Sequence, residues 1–368
     1  MSTPTASPSA STAPAAGRAA DEAWGSTRTL DEVASALRAL KRVAVLTHAR
    51  PDGDAVGSTL AVSRTLRRIG VEAWPVYMGL WSPRFDAVVG NTPVIHAHHH
   101  AWKDEPLASI QHVLILDTGS WNQLADARTW LEPRCPSAIV VDHHAHGDAS
   151  VAPARYVDVK SAAACEIAAE LCCKLLGVAS AAKLPQDVAE PLMLGLSTDT
   201  GWFRHSSTSA HVLRLAGDLV EAGARHNWLY QTVEQGDEPT RLKLIARALG
   251  SLEFLEQNRV AMVTVTTSDL RDSGGSLDDA GGLTDLPMCV GAVRVAVSVV
   301  EVEPTLTKVS FRSKAGGLDI DVNALAQTLG GGGHRHAAGV KMHMPLREAL
   351  EKVRHAVALA FSSGGVTP

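Results

Sequence analysis

The sequence predicts an α/β protein in which an N-terminal parallel-sheet domain is joined by helices to a smaller α/β domain. In the first part of the chain, short apolar runs alternate with stretches of helical periodicity, as in β-α-β units. Three of these runs end in Asp or His, which is typical of parallel strands whose carboxyl ends line one crevice. From Val260 onward the pattern changes to strands, and this change indicates a second domain.

The composition is that of an ordinary globular protein with room for two domains. The chain has 368 residues, of which 45% are hydrophobic and 20% charged, and its formal net charge is -5. This charge argues against a surface that binds long duplex nucleic acid. The five cysteines are odd in number and lack C-x-x-C spacing, which predicts reduced thiols in a cytoplasmic protein. No apolar run is long enough to predict a membrane span.

The chain begins with a segment rich in Ala, Ser, Thr and Pro. Because it lacks the basic start and apolar run of a signal peptide, we predict a disordered tail over residues 1–26. A helix is predicted over 30–40, and it leads into the first strand at 43–46.

The stretch HARPDGDAVGS at 48–58 follows this strand and is central to the functional interpretation. It places His48, Asp52 and Asp54 in one loop, where Gly53 allows the two carboxylates to point in different directions. Taken alone, such a stretch is more often an ordinary turn than a set of metal ligands. Acidic residues later in the chain favour the metal site.

The remaining elements follow in order. A helix over 55–69 and a strand over 71–76 complete a β-α-β unit. Two further strands are predicted at 112–116 and 138–141. Later helices are predicted at 161–176, 187–196, 209–223 and 239–255. Strands of the second domain are predicted at 260–265, 293–302 and 308–312.

Ionisable residues recur where these elements end. Asp117 follows one strand, and Asp142, His143 and His144 follow the next. Asp199 ends a helical stretch, where by itself it would be explained as part of a helix-end turn. The repetition predicts one common site at the carboxyl edge of the sheet.

Four aspartates are therefore candidate metal ligands: Asp52, Asp54, Asp117 and Asp199. Buried together they would be strongly destabilised unless cations neutralised them, and two divalent ions carry the required charge. With His48 and His143 the donors are oxygen and imidazole without thiolate, which suits manganese or magnesium better than structural zinc. Two such ions can activate a bridging water for displacement at phosphorus, so the predicted chemistry is phosphoester hydrolysis.

The second domain contains a candidate anion pocket. In GGGGHRHAAG at 330–339, four glycines precede His334, and their amides could face anionic oxygens. A glycine run alone is a weak indication, but Arg312, Ser313 and Lys314 lie upstream and strengthen it.

Five motifs in order resemble those of the DHH phosphoesterase superfamily. They are HARPDGDAVGS, LDTG at 116–119, VDHH at 141–144, STDTGWFR at 197–204, and FRSK at 311–314 with GGGHRHAAG at 331–339. The resemblance implies a DHH catalytic domain over 27–205, a helical linker over 206–254 and a DHH-associated substrate-binding domain over 255–368, with a substrate cleft between the domains. Within the superfamily, the chain is most similar to the nanoRNase and 3'-phosphoadenosine-5'-phosphate phosphatase group.

The resemblance also implies a role for each metal ligand. His48 and Asp52 would hold one cation, Asp54 and His143 the other, and Asp117 would bridge them. Asp199 would belong to the same cluster. The cations would be two divalent ions, with manganese favoured and magnesium the alternative.

Further roles concern catalysis and substrate binding. Asp142 would be either a ligand or the partner that orients a neighbouring imidazole, and His144 would contact the scissile phosphate. Catalysis would thus depend on Asp117, Asp142 and His144. The far end of the substrate would be bound by residues of the second domain: Arg312, Ser313, Gly331, Gly332, Gly333 and His334.

The implied substrates are short single-stranded RNA, including the dinucleotide pApA, and 3'-phosphoadenosine-5'-phosphate, with cyclic dinucleotides as a further class. No membrane partner is expected, and the resemblance allows a homodimer. A manganese-dependent inorganic pyrophosphatase is one alternative, which the glycine-rich stretch disfavours. A RecJ-like single-strand exonuclease is another, disfavoured because aromatic residues make up only 4% of the chain. The third is a nucleotide-binding protein without catalysis, which the complete ligand set disfavours.

Overall fold

The computed structural model describes residues 23–362, apart from 98–100, 315 and 317–319. The chain divides into two compact units, Met1–Gly236 and Asp237–Pro368. Most of the predicted disordered tail, residues 1–22, lies outside the described residues. Disorder is the wrong prediction for residues 23–26, because Ser26 Oγ donates to the Val157 carbonyl at 3.0 Å and accepts from its amide at 2.8 Å.

The first unit is built on a six-stranded sheet in which all neighbouring strands are parallel. Its strands are β1 (Arg42–Leu46), β2 (Glu72–Met78), β3 (Ile95–Ala97), β4 (Val113–Leu116), β5 (Ala138–Asp142) and β6 (Ala154–Val157). The predicted parallel-sheet fold is thereby confirmed. The two edge strands, β3 and β6, were not predicted.

The strand order is β3-β2-β1-β4-β5-β6. The chain therefore proceeds outward from β1 in one direction and outward from β4 in the other. Strands β1 and β4 are neighbours at the point where the order reverses, and such a point opens a crevice at the carboxyl ends of the strands. Asp117 directly follows β4, and His48 lies two residues after the end of β1.

Helices cover both faces of this sheet or connect its strands. They are α1 (Leu30–Arg38), α2 (Gly53–Arg68), α3 (Asp86–Val89), α4 (Arg128–Leu131), α5 (Ala164–Leu176), α6 (Gln186–Asp199), α7 (Ala210–Glu221) and α8 (His226–Glu234). Helices α2 and α6 pack closely: a Cβ at Gly57 of α2 would overlap the Pro191 carbonyl of α6, and one at Gly195 of α6 would overlap Asp54 of α2. This close packing brings the start of α2 to the end of α6.

The strands next to the crevice are buried on both faces. In β1, Val43 and Val45 pack into one apolar cluster, and Ala44 and Leu46 pack into the cluster on the opposite face. Such burial is expected for a parallel strand covered on both sides, and it explains the unbroken apolar runs in the sequence.

The second unit contains a mixed six-stranded sheet of order β11-β12-β10-β9-β8-β7. Only β8 and β9 pair in parallel among its described strands. The strands are β7 (Glu253–Leu255), β8 (Val260–Val265), β9 (Val295–Glu303), β10 (Leu306–Ser313), β11 (Gly332–His334) and β12 (Ala337–Met342). The helices are α9 (Pro239–Gly250), α10 (Thr267–Ser273), α11 (Val322–Thr328) and α12 (Leu346–Ser362).

The structure corrects two predictions at this junction. The segment predicted as a helical linker, 206–254, is divided: α7 and α8 belong to the first unit and α9 to the second. The helix predicted over 239–255 ends at Gly250, and its last residues form β7. Within the described residues, no helix has the length and apolar character needed to cross a membrane.

Candidate metal centre

Asp52 and Asp54 are placed by the start of α2. Asp52 is the N-cap residue, and its Oδ1 atom accepts hydrogen bonds from the amides of Asp54 at 3.0 Å and Ala55 at 3.1 Å. The helix begins at Gly53, two residues before its predicted start at residue 55. Asp54 therefore lies in the first turn of the helix and not in a loop. Gly53 has a different role from the predicted one: a Cβ there would overlap Thr198 of α6.

Asp54 is fixed by the start of α5. Its side chain is only 1% exposed, and its two oxygens accept hydrogen bonds from the amides of Ala164 at 2.6 Å and Cys165 at 2.8 Å. These amides are among those that a helix leaves unpaired at its N-terminus. Burial, together with the negative charges of Asp117 and Asp199, raises the pKa of Asp54 well above its usual value.

Asp117 lies between two imidazoles. Its Oδ2 atom is 3.4 Å from His48 Nε2, and its Oδ1 atom is 3.3 Å from His143 Nε2. Burial raises the pKa of Asp117, but hydrogen bonding to His143 and His48 outweighs it, so the net shift is downward. Its backbone has a φ of 63°, a strained conformation for a residue other than glycine. Such strain is found where a side chain must point into a functional site.

Three groups of side chains bring potential ligand atoms within 4.8 Å of one another. They are His48, Asp52 and Asp117; Asp54, His143 and Asp199; and Asp117, His143 and His144. The first two groups have the composition of the two half-sites that the resemblance implies, with Asp199 in the second. Six of the seven predicted ligands therefore converge at the carboxyl edge of the sheet.

Asp142 is the seventh predicted ligand, and in the described part of the chain it belongs to none of these groups. It is fully buried at the end of β5, and its Oδ1 atom is 2.8 Å from His144 Nδ1 and accepts from the His143 amide at 2.8 Å. This contact favours the orienting role over the ligand role. Its Oδ2 atom is buried and has no hydrogen-bond partner among the described residues.

His143 is oriented by a backbone carbonyl. Its Nδ1 atom is 3.2 Å from the Ser161 carbonyl, which can only accept, so Nδ1 carries a proton and Nε2 faces the carboxylates. Nε2 lies 3.9 Å from Asp54 Oδ2 and 3.7 Å from Asp199 Oδ2. This is the arrangement in which an imidazole can bind a metal through Nε2.

The carboxylates of this site crowd negative charge together, and the pKa values of the neighbouring groups are raised as a result. Burial lowers the pKa of His48 and His143, but hydrogen bonds to Asp117 raise both to about 10. Burial raises the pKa of Asp199 to about 6. Protons thus compensate the carboxylates, and a divalent cation would displace them. The oxygen and imidazole donors and this charge fit divalent cations.

The predicted residues of the second unit lie at the end of β10. Arg312 is exposed, and its Nε atom is 3.1 Å from Asp285 Oδ1. Ser313 is buried, and its hydroxyl is 2.9 Å from His336 Nδ1. Arg312 can therefore contact a ligand at the surface, whereas Ser313 is held by a neighbouring imidazole.

The glycine-rich stretch forms a β-hairpin. Its strands β11 and β12 pair closely: a Cβ at Gly331 would overlap the Gly339 carbonyl, and Gly333 has a φ of 154°. These two glycines are required by the hairpin itself. Gly332 has more room, with Asn323 Oδ1 3.7 Å from the Cβ position. The side chain of His334 lies outside the described part of the chain.

Sequence reasoning missed three contacts that position the predicted residues. They are the Ser161 carbonyl on His143, the amides at the start of α5 on Asp54, and the Trp24 indole, which donates to the His144 carbonyl at 3.0 Å. The first two contacts are made by backbone atoms, so the residue types at these positions do not reveal them. A single tryptophan in an Ala- and Ser-rich segment was the only signal for the third.

Comparison with known proteins agrees with this site. Residues 42–196 match the model of the DHH family, N-terminal domain. The chain is 28% identical over 324 residues to the bifunctional oligoribonuclease and PAP phosphatase NrnA of Thermus thermophilus, covering 88% of this chain and 91% of the relative. It is 27% identical over 304 residues to the protein of the same name from Bacillus subtilis, covering 80% and 88%.

The fold is similar to that of an exopolyphosphatase-related protein from Bacteroides fragilis, with a TM-score of 0.82 at 18% identity over 91% of this chain and 96% of that one. The fold, the site and the relatives together define a metal-dependent hydrolase that acts on phosphoester bonds. Within this chain, it is residues 42–196 that are similar to the N-terminal domain of the DHH family.

Proposed function

We propose that this protein is a two-metal phosphoesterase that hydrolyses short oligoribonucleotides to mononucleotides and 3'-phosphoadenosine-5'-phosphate to AMP. The main support for the proposal is the position of Asp117. One of its carboxylate oxygens faces His48 and the other faces His143. A carboxylate placed in this way can serve two cations at once. The printed names of the two NrnA relatives, matched over most of their length, support the substrate class.

The two half-sites would hold the cations. His48 and Asp52 would bind one and Asp54, His143 and Asp199 the other, with Asp117 shared. When bound, the cations polarise the phosphoryl oxygens and lower the pKa of water. Imidazole donors in both half-sites favour manganese over magnesium.

His144 is the residue best placed to contact the substrate phosphate. Its side chain is 38% exposed, and Asp142 holds its Nδ1 atom, which leaves Nε2 for the substrate. The hydrogen bond from Asp142 raises the pKa of His144 and stabilises the protonated ring. A protonated Nε2 can donate to a phosphate oxygen or to the leaving oxygen.

Arg312 would bind the end of the substrate that is not cleaved. A guanidinium can bind a phosphate through two parallel hydrogen bonds. The present partner, Asp285, forms an exposed ion pair with it, worth less than about 1 kcal/mol, so a phosphate can replace this contact. The amides near Gly332 would add further donors to the same end.

Arg312→Ala is expected to raise KM for the dinucleotide pApA about tenfold and to change kcat little, because the substitution removes binding remote from the reacting phosphate. Hydrolysis of bis(p-nitrophenyl) phosphate, which has no second phosphate, should be unaffected. Steady-state kinetics on both substrates measure this difference. Arg347→Ala, on an exposed arginine of the same unit, is the matched control. Equal effects of Arg312→Ala on both substrates would contradict the assignment.

One competition experiment tests the proposed function. Purified protein with Mn²⁺ is given an equimolar mixture of pApA, 3'-phosphoadenosine-5'-phosphate, cyclic di-AMP, pyrophosphate and a long single-stranded DNA. We expect pApA and 3'-phosphoadenosine-5'-phosphate to be consumed first, with cyclic di-AMP a further candidate. Preferential loss of pyrophosphate or of the long DNA would instead favour the pyrophosphatase or the RecJ-like alternative.

A further inference from the structure

A short segment before the region similar to the DHH family packs against the loops of the metal centre. This segment, residues 23–29, is called the N-terminal strap below, and it precedes residue 42, where the family match begins. It lies along β6: the amides of Thr27 and Arg28 donate to the Arg155 carbonyl at 2.8 and 3.0 Å. Thr27 Oγ1 also donates to the Pro153 carbonyl at 2.7 Å. The strap is therefore held by its backbone and by its polar side chains.

Trp24 of the strap contacts two loops that carry predicted catalytic residues. Its indole Nε1 donates to the His144 carbonyl at 3.0 Å. The ring lies directly on Gly119 and Gly147, where a Cβ would overlap it. Gly119 is two residues after Asp117, so one half-buried indole contacts the loop after β4 and the loop after β5.

Arg155 anchors the strap to the loop that follows His144. This arginine is only 1% exposed, and its Nε atom donates to the Gly25 carbonyl at 3.2 Å. Its Nη1 atom donates to the carbonyls of Ala149 at 2.9 Å and Ala152 at 2.6 Å. A buried guanidinium is costly unless carbonyls such as these satisfy it, so removing the strap would leave a donor without its partner.

We propose that Trp24 is a positioning residue for His144, acting through the indole hydrogen bond to the His144 carbonyl. The inference rests on the proposed function, in which His144 contacts the substrate phosphate. A group that contacts a reacting phosphate must be held within about 0.5 Å of its productive position. The loop between β5 and β6 contains no long helix or strand of its own, and the strap provides the fixed contact that such a loop needs.

Two substitutions remove the contacts of Trp24 in steps. Trp24→Phe removes the N–H donor and the outer ring atoms that lie on Gly119 and Gly147 but keeps an aromatic side chain in the strap, and we expect kcat for pApA to fall about fivefold with KM unchanged. Trp24→Ala removes the whole ring, and we expect a fall of about 30-fold in kcat. Trp102→Ala is the matched control, because Trp102 is a half-buried indole that packs against the same apolar cluster. It should lower thermal stability and leave kcat unchanged.

A double-substitution cycle tests whether Trp24 acts through His144. In a His144→Ala background, the additional Trp24→Phe change should alter kcat less than twofold. A full fivefold effect in that background, or a Trp24→Phe enzyme with normal kcat, would overturn the proposal.

Hydrogen exchange tests the placement of the loop without any substrate. Amides of residues 143–149 should exchange about tenfold faster in Trp24→Ala than in the unmodified protein or in Trp102→Ala. Unchanged exchange in this loop would also overturn the proposal. Because this measurement needs no activity, it decides the role of Trp24 even if the protein fails to cleave pApA, so failure of the two proposals can be distinguished.

Discussion

Asp117→Asn is expected to lower kcat/KM for pApA by about 10³-fold or more, the largest effect of any single substitution in this site. The amide keeps the volume of the carboxylate but removes its charge. It also places an NH₂ group, which cannot bind a cation, where an oxygen faces either His48 or His143. In the proposed arrangement Asp117 serves both half-sites, so one substitution would damage both.

This prediction is tested by steady-state kinetics in saturating Mn²⁺. Asp126→Asn is the control, since Asp126 is an exposed aspartate of the same unit, and its replacement should leave kcat/KM unchanged. Thermal unfolding of both variants checks that the fold persists. An Asp117→Asn enzyme that kept more than about a tenth of the activity would show that Asp117 does not serve two cations.

Asp142→Asn is expected to lower kcat about 30-fold while changing the affinity for Mn²⁺ much less. Asp142 Oδ1 is hydrogen-bonded to His144, and loss of its charge removes the interaction that raises the pKa of that imidazole. The substitution should therefore weaken proton donation from His144. The cations themselves should stay bound.

Kinetics and a Mn²⁺ titration of the same variant separate the two roles that the resemblance allows for Asp142. A fall in kcat with nearly normal Mn²⁺ affinity supports the orienting role. A loss of Mn²⁺ affinity of about 100-fold would instead make Asp142 a direct ligand. A variant with normal kcat and normal Mn²⁺ affinity would show that Asp142 has neither role.

The strands that carry the site could be predicted because their apolar runs are nearly unbroken. β1, β4 and β5 are buried on both faces, and each is followed by ionisable residues, so both the sheet and the converging ligands were visible in the sequence. β6 was not predicted because its sequence, ARYV, is not an unbroken apolar run. It contains Arg155, whose burial depends on carbonyls at Gly25, Ala149 and Ala152. No local pattern reveals such partners.

The glycines show a second limit of sequence reasoning. Gly53 and Gly331 were predicted to provide flexibility or exposed amides. In the structure each leaves room for a close neighbour, Thr198 in one case and Gly339 in the other. The need for glycine depends on what packs opposite it, which is set by tertiary structure. The contact between Trp24 and His144 was missed for the same reason, because 120 residues separate the two.

Anomalous scattering from a crystal grown with Mn²⁺ would locate the cations at the proposed two-metal site. We expect two peaks, one among His48, Asp52 and Asp117 and the other among Asp54, His143, Asp199 and the same Asp117. A map without peaks at these side chains, with the protein active in the same Mn²⁺ solution, would contradict the proposal.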